Sequence, residues 1–175
     1  ISVLMNNGDG TFAAKVDYVT GIYPSSVFAS DFDGDTDQDL AVANYASNNV
    51  SILKNNGDGT FAAPMDYEAG NRPISVYASD LDNDGDQDLV VANYGSDSYP
   101  DSTVSVLTNN GDGTFAARVD YAVGHNPRSV IASDFDGDGQ KDLAVTNDID
   151  NVVSVLKNNG DGTFATKIDF GTGIK

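Results

Sequence analysis

Short apolar runs alternate with clusters of Gly, Asn and Asp along the whole chain, and the same order of runs keeps returning. In the first full copy the runs are Ser26–Ser30, Leu40–Asn44, Val50–Leu53 and Thr60–Tyr67. They are rich in Val, Ile, Phe, Tyr and Ala, and none shows a 3.6-residue apolar period with helix caps, so each predicts a β-strand. The second run is almost wholly apolar in every copy, LAVAN from Leu40, LVVAN from Leu89 and LAVTN from Leu143. A continuous apolar run predicts a strand covered on both faces. Small Ala and Ser residues in the first two runs allow neighbouring sheets to crowd together near an axis.

The repeat is explicit. NNGDGTF begins at Asn6, Asn55, Asn109 and Asn158, and an aspartate-rich loop ending in Asp-Leu begins at Asp31, Asp80 and Asp134. Both series step by 49 and 54 residues in the same place, so one insertion explains both. It falls in YGSDSYPDST, between Tyr94 and Thr103, and predicts a lengthened surface loop. Four strands in each unit of 49–54 residues predict an all-β fold of β-propeller blades, each with four antiparallel strands. Residues 1–20 then form the second half of a blade, and 21–70, 71–124 and 125–175 form three blades, together a partial propeller. A sandwich of unrelated hairpins would not repeat so faithfully, and a parallel β-helix has shorter repeats. NNGDGTF itself reads as the hairpin turn between third and fourth strands, where Gly supplies positive φ. Its aspartates Asp9, Asp58, Asp112 and Asp161 are weak cation ligands by comparison.

Charge changes the picture. The formal net charge is −18, with 9 basic against 27 acidic residues, and of the acids all but Glu68 are aspartate. Such a field disfavours nucleic acid and anionic membranes and favours divalent cations. No apolar stretch is long enough to insert in a membrane. The loops read DFDGDTDQD, DLDNDGDQD and DFDGDGQKD, with Asp at positions 1, 3, 5 and 9 throughout. These are Asp31, Asp33, Asp35 and Asp39, then Asp80, Asp82, Asp84 and Asp88, then Asp134, Asp136, Asp138 and Asp142. Four carboxylates so close repel unless a cation lies between them. Ca²⁺ takes six to eight oxygens at about 2.3–2.6 Å, and a backbone carbonyl near position 7 (Asp37, Asp86, Gln140) completes the predicted shell. Three Ca²⁺ sites follow. The alternative for any one loop is a solvated acidic turn held by Asx hydrogen bonds; three loops in register weigh against it. Zinc is disfavoured by the absence of Cys and a single His, and Mg²⁺ by its strict octahedral demand. An EF-hand is excluded because position 12, where it carries Glu, is Val42, Val91 and Val145 inside a strand.

These loops resemble the FG-GAP repeats of integrin α-subunit propellers and the related VCBS-type repeats of bacterial secreted proteins. The loop from Asp134 matches that pattern most closely, with Gly139 at position 6, whereas the loop from Asp31 has Thr36 there. The namesake Phe-Gly and Gly-Ala-Pro strings are absent or degraded, so the resemblance rests on the loops. It implies calcium between the first and second strands of each blade and a secreted or cell-surface module for adhesion or binding. It also makes carbohydrate a ligand class to expect, alongside protein. Tyr45, Tyr94 and Tyr99 are candidate exposed contacts, while Tyr18, Tyr67, Tyr121 and Phe170 on the fourth strands read as packing between blades. Competing readings are the propeller of a secreted polysaccharide-active enzyme and a purely structural repeat. The residues that break the repeat, His125, Arg128, Arg72 and Glu68, do not make a catalytic set, so an enzyme is not expected. The chain opens without Met or a leader, and open blade faces at each end predict the rest of a longer propeller or a self-association partner.

Overall fold

A computed structural model describes residues 1–96 and 101–173, and among these all regular structure is β. β1 (Ser2–Val3) pairs with β2 (Val16–Asp17) as a short hairpin. Three four-stranded blades follow. The first is β3 (Pro24–Ser30), β4 (Asp39–Asn44), β5 (Asn49–Leu53) and β6 (Met65–Glu68). The second is β7 (Pro73–Ser79), β8 (Asp88–Asn93), β9 (Thr103–Leu107) and β10 (Val119–Ala122). The third is β11 (Pro127–Ser133), β12 (Asp142–Asn147), β13 (Val152–Leu156) and β14 (Ile168–Gly171). Each sheet runs in sequence order with every pair antiparallel. No sheet closes on itself, so the blades are those of a β-propeller rather than the staves of a barrel.

The register is the same in every blade. Val27 faces Val42, Val76 faces Val91 and Val130 faces Val145. Leu40 faces Leu53, Leu89 faces Leu107 and Leu143 faces Leu156. Each first strand opens on a proline (Pro24, Pro73, Pro127) followed by a register shift, as expected for a residue that cannot donate to the ladder.

Apolar packing lies between blades. One cluster fills the seam of blades one and two with Phe32, Ala41, Ile52, Val76, Leu89, Val91 and Phe115, among others. A second fills the seam of blades two and three with Leu81, Val90, Ala92, Val104, Val130, Leu143 and Phe164. β8 serves both: Leu89 and Val91 point into the first seam, Val90 and Ala92 into the second, and all four are fully buried. This is the physical meaning of the unbroken apolar run, since successive strand residues face opposite sides. Each buried Leu or Val contributes about 1.5–3 kcal/mol relative to exposure.

The fourth strands are shorter than the sequence suggests. Thr60–Tyr67 yields only Met65–Glu68 as ladder, because NNGDGTF folds back on itself first. Asn55 bridges Phe61, Asn56 N–H donates to the Thr60 carbonyl at 2.9 Å, and Ala62 N–H donates to the Lys54 carbonyl at 2.8 Å. The opening hairpin is trimmed in the same way. In the inserted loop, Ser96 N–H and Oγ both donate to Asp101 Oδ1 at 3.0 Å, and Asn71 Nδ2 donates to Asp101 Oδ2 at 2.8 Å. These bonds, that from Asn71 foremost, hold the Asp101 carboxyl down at about 2. Tyr99 lies outside the described residues.

Candidate metal centres

The aspartate loops join β3 to β4, β7 to β8 and β11 to β12. Position 9 opens the second strand, so Asp39, Asp88 and Asp142 are buried at 0%, 1% and 2% exposure. A buried carboxylate needs donors, and each finds the same two. Oδ2 accepts from the backbone N–H of position 2: Phe32 (3.1 Å), Leu81 (2.9 Å) and Phe135 (3.2 Å). Oδ1 accepts from the first Asn of the following NNGDGTF: Asn55 (2.8 Å), Asn109 (2.8 Å) and Asn158 (2.9 Å).

Position 1 curls the loop. Asp31 accepts from Gly34 and Thr36 N–H at 2.8 and 2.9 Å, and Asp134 from Gly137 and Gly139 at 2.7 and 3.0 Å. Asp80 accepts from Gly85 at 3.2 Å. This demands a left-handed backbone at positions 4 and 6: Gly34 and Thr36 (φ 75° and 78°), Asn83 and Gly85 (64° and 98°), Gly137 and Gly139 (84° and 89°). Asn and Gly adopt that region cheaply, but a β-branched Thr is strained there. The departure noted at Thr36 is therefore a backbone cost.

Curled this way, the carboxylate oxygens of positions 1, 3 and 9 converge. Asp31, Asp33 and Asp39 form one group, Asp80, Asp82 and Asp88 a second, Asp134, Asp136 and Asp142 a third, with one oxygen from each residue within 4.8 Å of the others. Position 5 stands outside these groups: Asp35, Asp84 and Asp138 each use Oδ1 to accept from the N–H of position 7, at 2.9 Å in all three loops. Position 7 faces its own blade's turn. A Cβ at Gly57, Gly111 or Gly160 would come within 3.1 Å of Asp37 Oδ2, 2.7 Å of Asp86 Oδ2 or 3.8 Å of Gln140 Cδ.

Two observations in the first and second groups suit a cation there. Asp33 Oδ1 and Asp80 Oδ1 are buried with no hydrogen-bond partner, an arrangement that costs free energy unless something positive meets them. Burial also pushes the Asp39 and Asp82 carboxyls up and takes Asp88 to about 6, with neighbouring aspartates adding to the effect. An all-oxygen donor set of this kind suits a hard divalent ion. Local compensation is uneven. Lys54 Nζ stands 3.1 Å from Asp33 Oδ2, and Lys157 bonds Asp136 and lies 3.2 Å from Asp138. The Lys157 bond lowers the Asp136 carboxyl and raises its own ammonium to about 12.

The sequence reading missed the first Asn of each turn. Asn109 Nδ2 donates to the Gln87 carbonyl of its own loop (3.1 Å) and to the Phe32 carbonyl of the preceding blade's loop (2.9 Å). Asn158 repeats this with Lys141 (3.0 Å) and Leu81 (2.8 Å), while among the described residues Asn55 Nδ2 donates within its own blade, to the Gln38 carbonyl (3.1 Å). NNGDGTF is thus both a hairpin turn and a clamp between adjacent loops. The available signal was its length, since a hairpin needs only a Gly pair while all seven letters recur four times. Its aspartates are occupied locally: Asp9, Asp58, Asp112 and Asp161 each accept from the N–H and Oγ of the Thr two residues on, which lowers their carboxyls.

The aromatic residues divide as well. Tyr18, Tyr67 and Tyr121 pack edge-on, at 5.4 Å between centroids, against Phe61, Phe115 and Phe164 of the next blade's turn. Tyr45 and Tyr94 are half-buried at the ends of β4 and β8, under the guanidinium groups of Arg72 (5.8 Å) and Arg128 (4.9 Å). His125 Nδ1 meets Asp150 Oδ1 at 2.8 Å, Arg128 meets Asp148 at 2.9 Å, and Arg118 lies 3.7 Å from Glu68.

A family model described as an FG-GAP-like repeat matches residues 31–91, 80–145 and 134–175. The chain belongs to the FG-GAP-like repeat family. Each FG-GAP-like match opens on position 1 of an aspartate loop, and the first two run on to position 12 of the next. Over 96% of its length the chain is similar in structure to a lectin of Agrocybe aegerita described by its specific recognition of non-reducing terminal N-acetylglucosamine (23% identity, TM-score 0.58). It covers 45% of that lectin, less than half its length, and at this identity the likeness concerns the propeller fold. The Photorhabdus luminescens Tc holotoxin pore also matches, at 19% identity over 96% of this chain and 8% of that one, with a TM-score of 0.47 too low to bear on the argument. No curated protein matches the FG-GAP-like chain at a significant level of sequence similarity.

Proposed function

We propose that the chain is a calcium-stabilised binding module of a secreted or cell-surface protein. The observation that carries this reading is the convergence of three carboxylates in each of the three loops, with a buried, unpartnered oxygen on Asp33 in the first and on Asp80 in the second. Positions 1, 3 and 9 hold the ion; position 5 joins by giving up its bond to position 7. When bound, Ca²⁺ supplies positive charge that neutralises the carboxylates, and its role is structural. The Asn clamp then transmits order from loop to loop, because Asn109 and Asn158 each bond two successive loops.

The ligand is carbohydrate or protein, taken up in the grooves between outer strands. The groove of blades one and two, about 480 Å³, is lined by Tyr67, Glu68, Phe115, Arg118 and Asp120 among others. Its counterpart between blades two and three, about 200 Å³, has Tyr121, Phe164 and Lys167. The buried Phe115 and Phe164 support the half-buried Tyr67 and Tyr121, and these tyrosines beside charged groups suit a polyhydroxylated ligand, which both stacks and hydrogen-bonds. The module is not an enzyme in this reading: His125 and Arg128 pair with Asp150 and Asp148, Glu68 lies beside Arg118, and Arg72 covers the Tyr45 ring, so these residues serve separate local contacts. Further blades, from a longer propeller chain or a second copy, cover the open faces.

Thermal unfolding with Ca²⁺ and with a chelator tests the structural part. Each site filled at a hundred times its Kd adds about 2.7 kcal/mol, so a Tm rise of ten degrees or more is expected, and an unchanged Tm overturns the reading. A glycan array probed with and without the chelator tests the ligand class; loss of signal on Arg118→Ala would place the ligand in the larger groove.

A further inference from the structure

The residue just before NNGDGTF differs between blades: Lys54, Thr108 and Lys157. In blades one and three it is a lysine whose ammonium lies on the position-3 carboxylate of its own aspartate loop. Lys54 is 3.1 Å from Asp33 Oδ2 and also donates to the Asp112 carbonyl of the next blade at 2.5 Å. Lys157 is bonded to Asp136 and is 3.2 Å from Asp138 Oδ2. In blade two Thr108 stands there, and among the described residues no lysine or arginine forms an ion pair with Asp80, Asp82, Asp84 or Asp88. Asp80 Oδ1 is buried with no hydrogen-bond partner, as Asp33 Oδ1 is in the first loop, but only in the first loop does a lysine reach the same carboxylate group.

An ammonium and a divalent ion compete for the same oxygens. A metal entering the first or third loop must displace a cation already in contact with position 3, or bind beside it against Coulomb repulsion. In the middle loop it meets neither cost. We propose that Lys54 and Lys157 are built-in competitors that weaken the first and third loops, and that Thr108 makes the middle loop the first to fill. The same lysines keep the outer loops partly neutralised when calcium is scarce, so the middle loop is the one whose order depends most on the ion. This rests on the calcium-binding reading above.

Calorimetric titration of the 175-residue chain with Ca²⁺ separates the two claims. No heat from any site overturns the calcium reading itself. Given binding, the tightest site should vanish in Asp80→Asn and persist in Asp134→Asn. Lys157→Thr installs the residue found naturally at 108 and should tighten one of the weaker sites about tenfold; Thr108→Lys should weaken the tightest by a similar factor. Lys15→Thr removes one exposed positive charge that pairs with Asp17, far from any aspartate loop in sequence, and should leave all affinities within about twofold. The metal-free melt of each variant establishes that it folds. If Lys157→Thr and Thr108→Lys both fold and leave the affinities where they were, or if Lys15→Thr shifts them equally, the competitor role is overturned.

Discussion

Phe32, Leu81 and Phe135 hold the same place, position 2 of the aspartate loop, and their exposures are 2%, 1% and 48%. Phe32 and Leu81 are each followed by a blade whose turn lays a Phe ring and an Asn amide over the loop. Among the described residues no further blade follows the one that holds Phe135. The fourth-strand aromatics behave alike: Tyr67 and Tyr121 are half-buried against Phe115 and Phe164, while Phe170 is 55% exposed. Burial here belongs to the seam rather than to the blade. A blade is a sheet with two apolar faces and no core of its own, so its stability is a property of its neighbours, as in other repeat architectures.

The largest expected effect sets a sealed position against an open one. Leu81→Ala leaves a cavity in the second seam and should cost about 3 kcal/mol in urea unfolding, whereas Phe135→Ala should cost less than about 1. Equal costs would mean that the third blade's outer face is covered in solution, and sedimentation would then show the partner.

Next comes pH. The middle blade has a full blade on each side, and its buried Asp88 is raised to about 6. A carboxyl whose folded pKa lies above its unfolded one binds more protons in the folded state between the two values. In chelator, stability should therefore fall as pH rises from about 4 through 6, by about 3 kcal/mol. Asp88→Asn should flatten that slope. With Ca²⁺ present the dependence should reverse, because the ion competes with the proton.

The clamp gives a smaller contrast. Both Asn158→Ala and Asn55→Ala remove a carbonyl bond within the blade and the turn bonds accepted at Oδ1, but Asn158→Ala alone also removes the buried bond to the Leu81 carbonyl of the preceding blade and should cost about 1 kcal/mol more. Equal losses would show that the bond between blades contributes nothing.

The smallest effect compares the first and last aspartate loops. Thr36→Gly should stabilise by about 1 kcal/mol by relieving a β-branched residue at φ 78°. Gly139→Thr should cost about as much, since open space surrounds a Cβ there and the backbone alone is strained. Paired chemical melts of these two variants check both signs.

What the sequence determined by itself was the order of parts within one repeat. Strand order, the Asp positions and the two-sided burial of the second strand follow from short-range pattern, because side chains alternate along a strand and an identical unit recurs. The strain at Thr36 was legible too, since position 6 is Gly in the other two loops. Tertiary structure alone decided what happens between repeats. Asn109 reaches Phe32 across 77 residues of sequence, and no local signal announces that a turn residue will clamp the preceding loop. It also separated the converging carboxylates of positions 1, 3 and 9 from that of position 5, which the spacing treats as equal. The reason is geometric: a curled nine-residue loop offers one centre, and the backbone N–H groups it must satisfy claim some of its oxygens before any ion does.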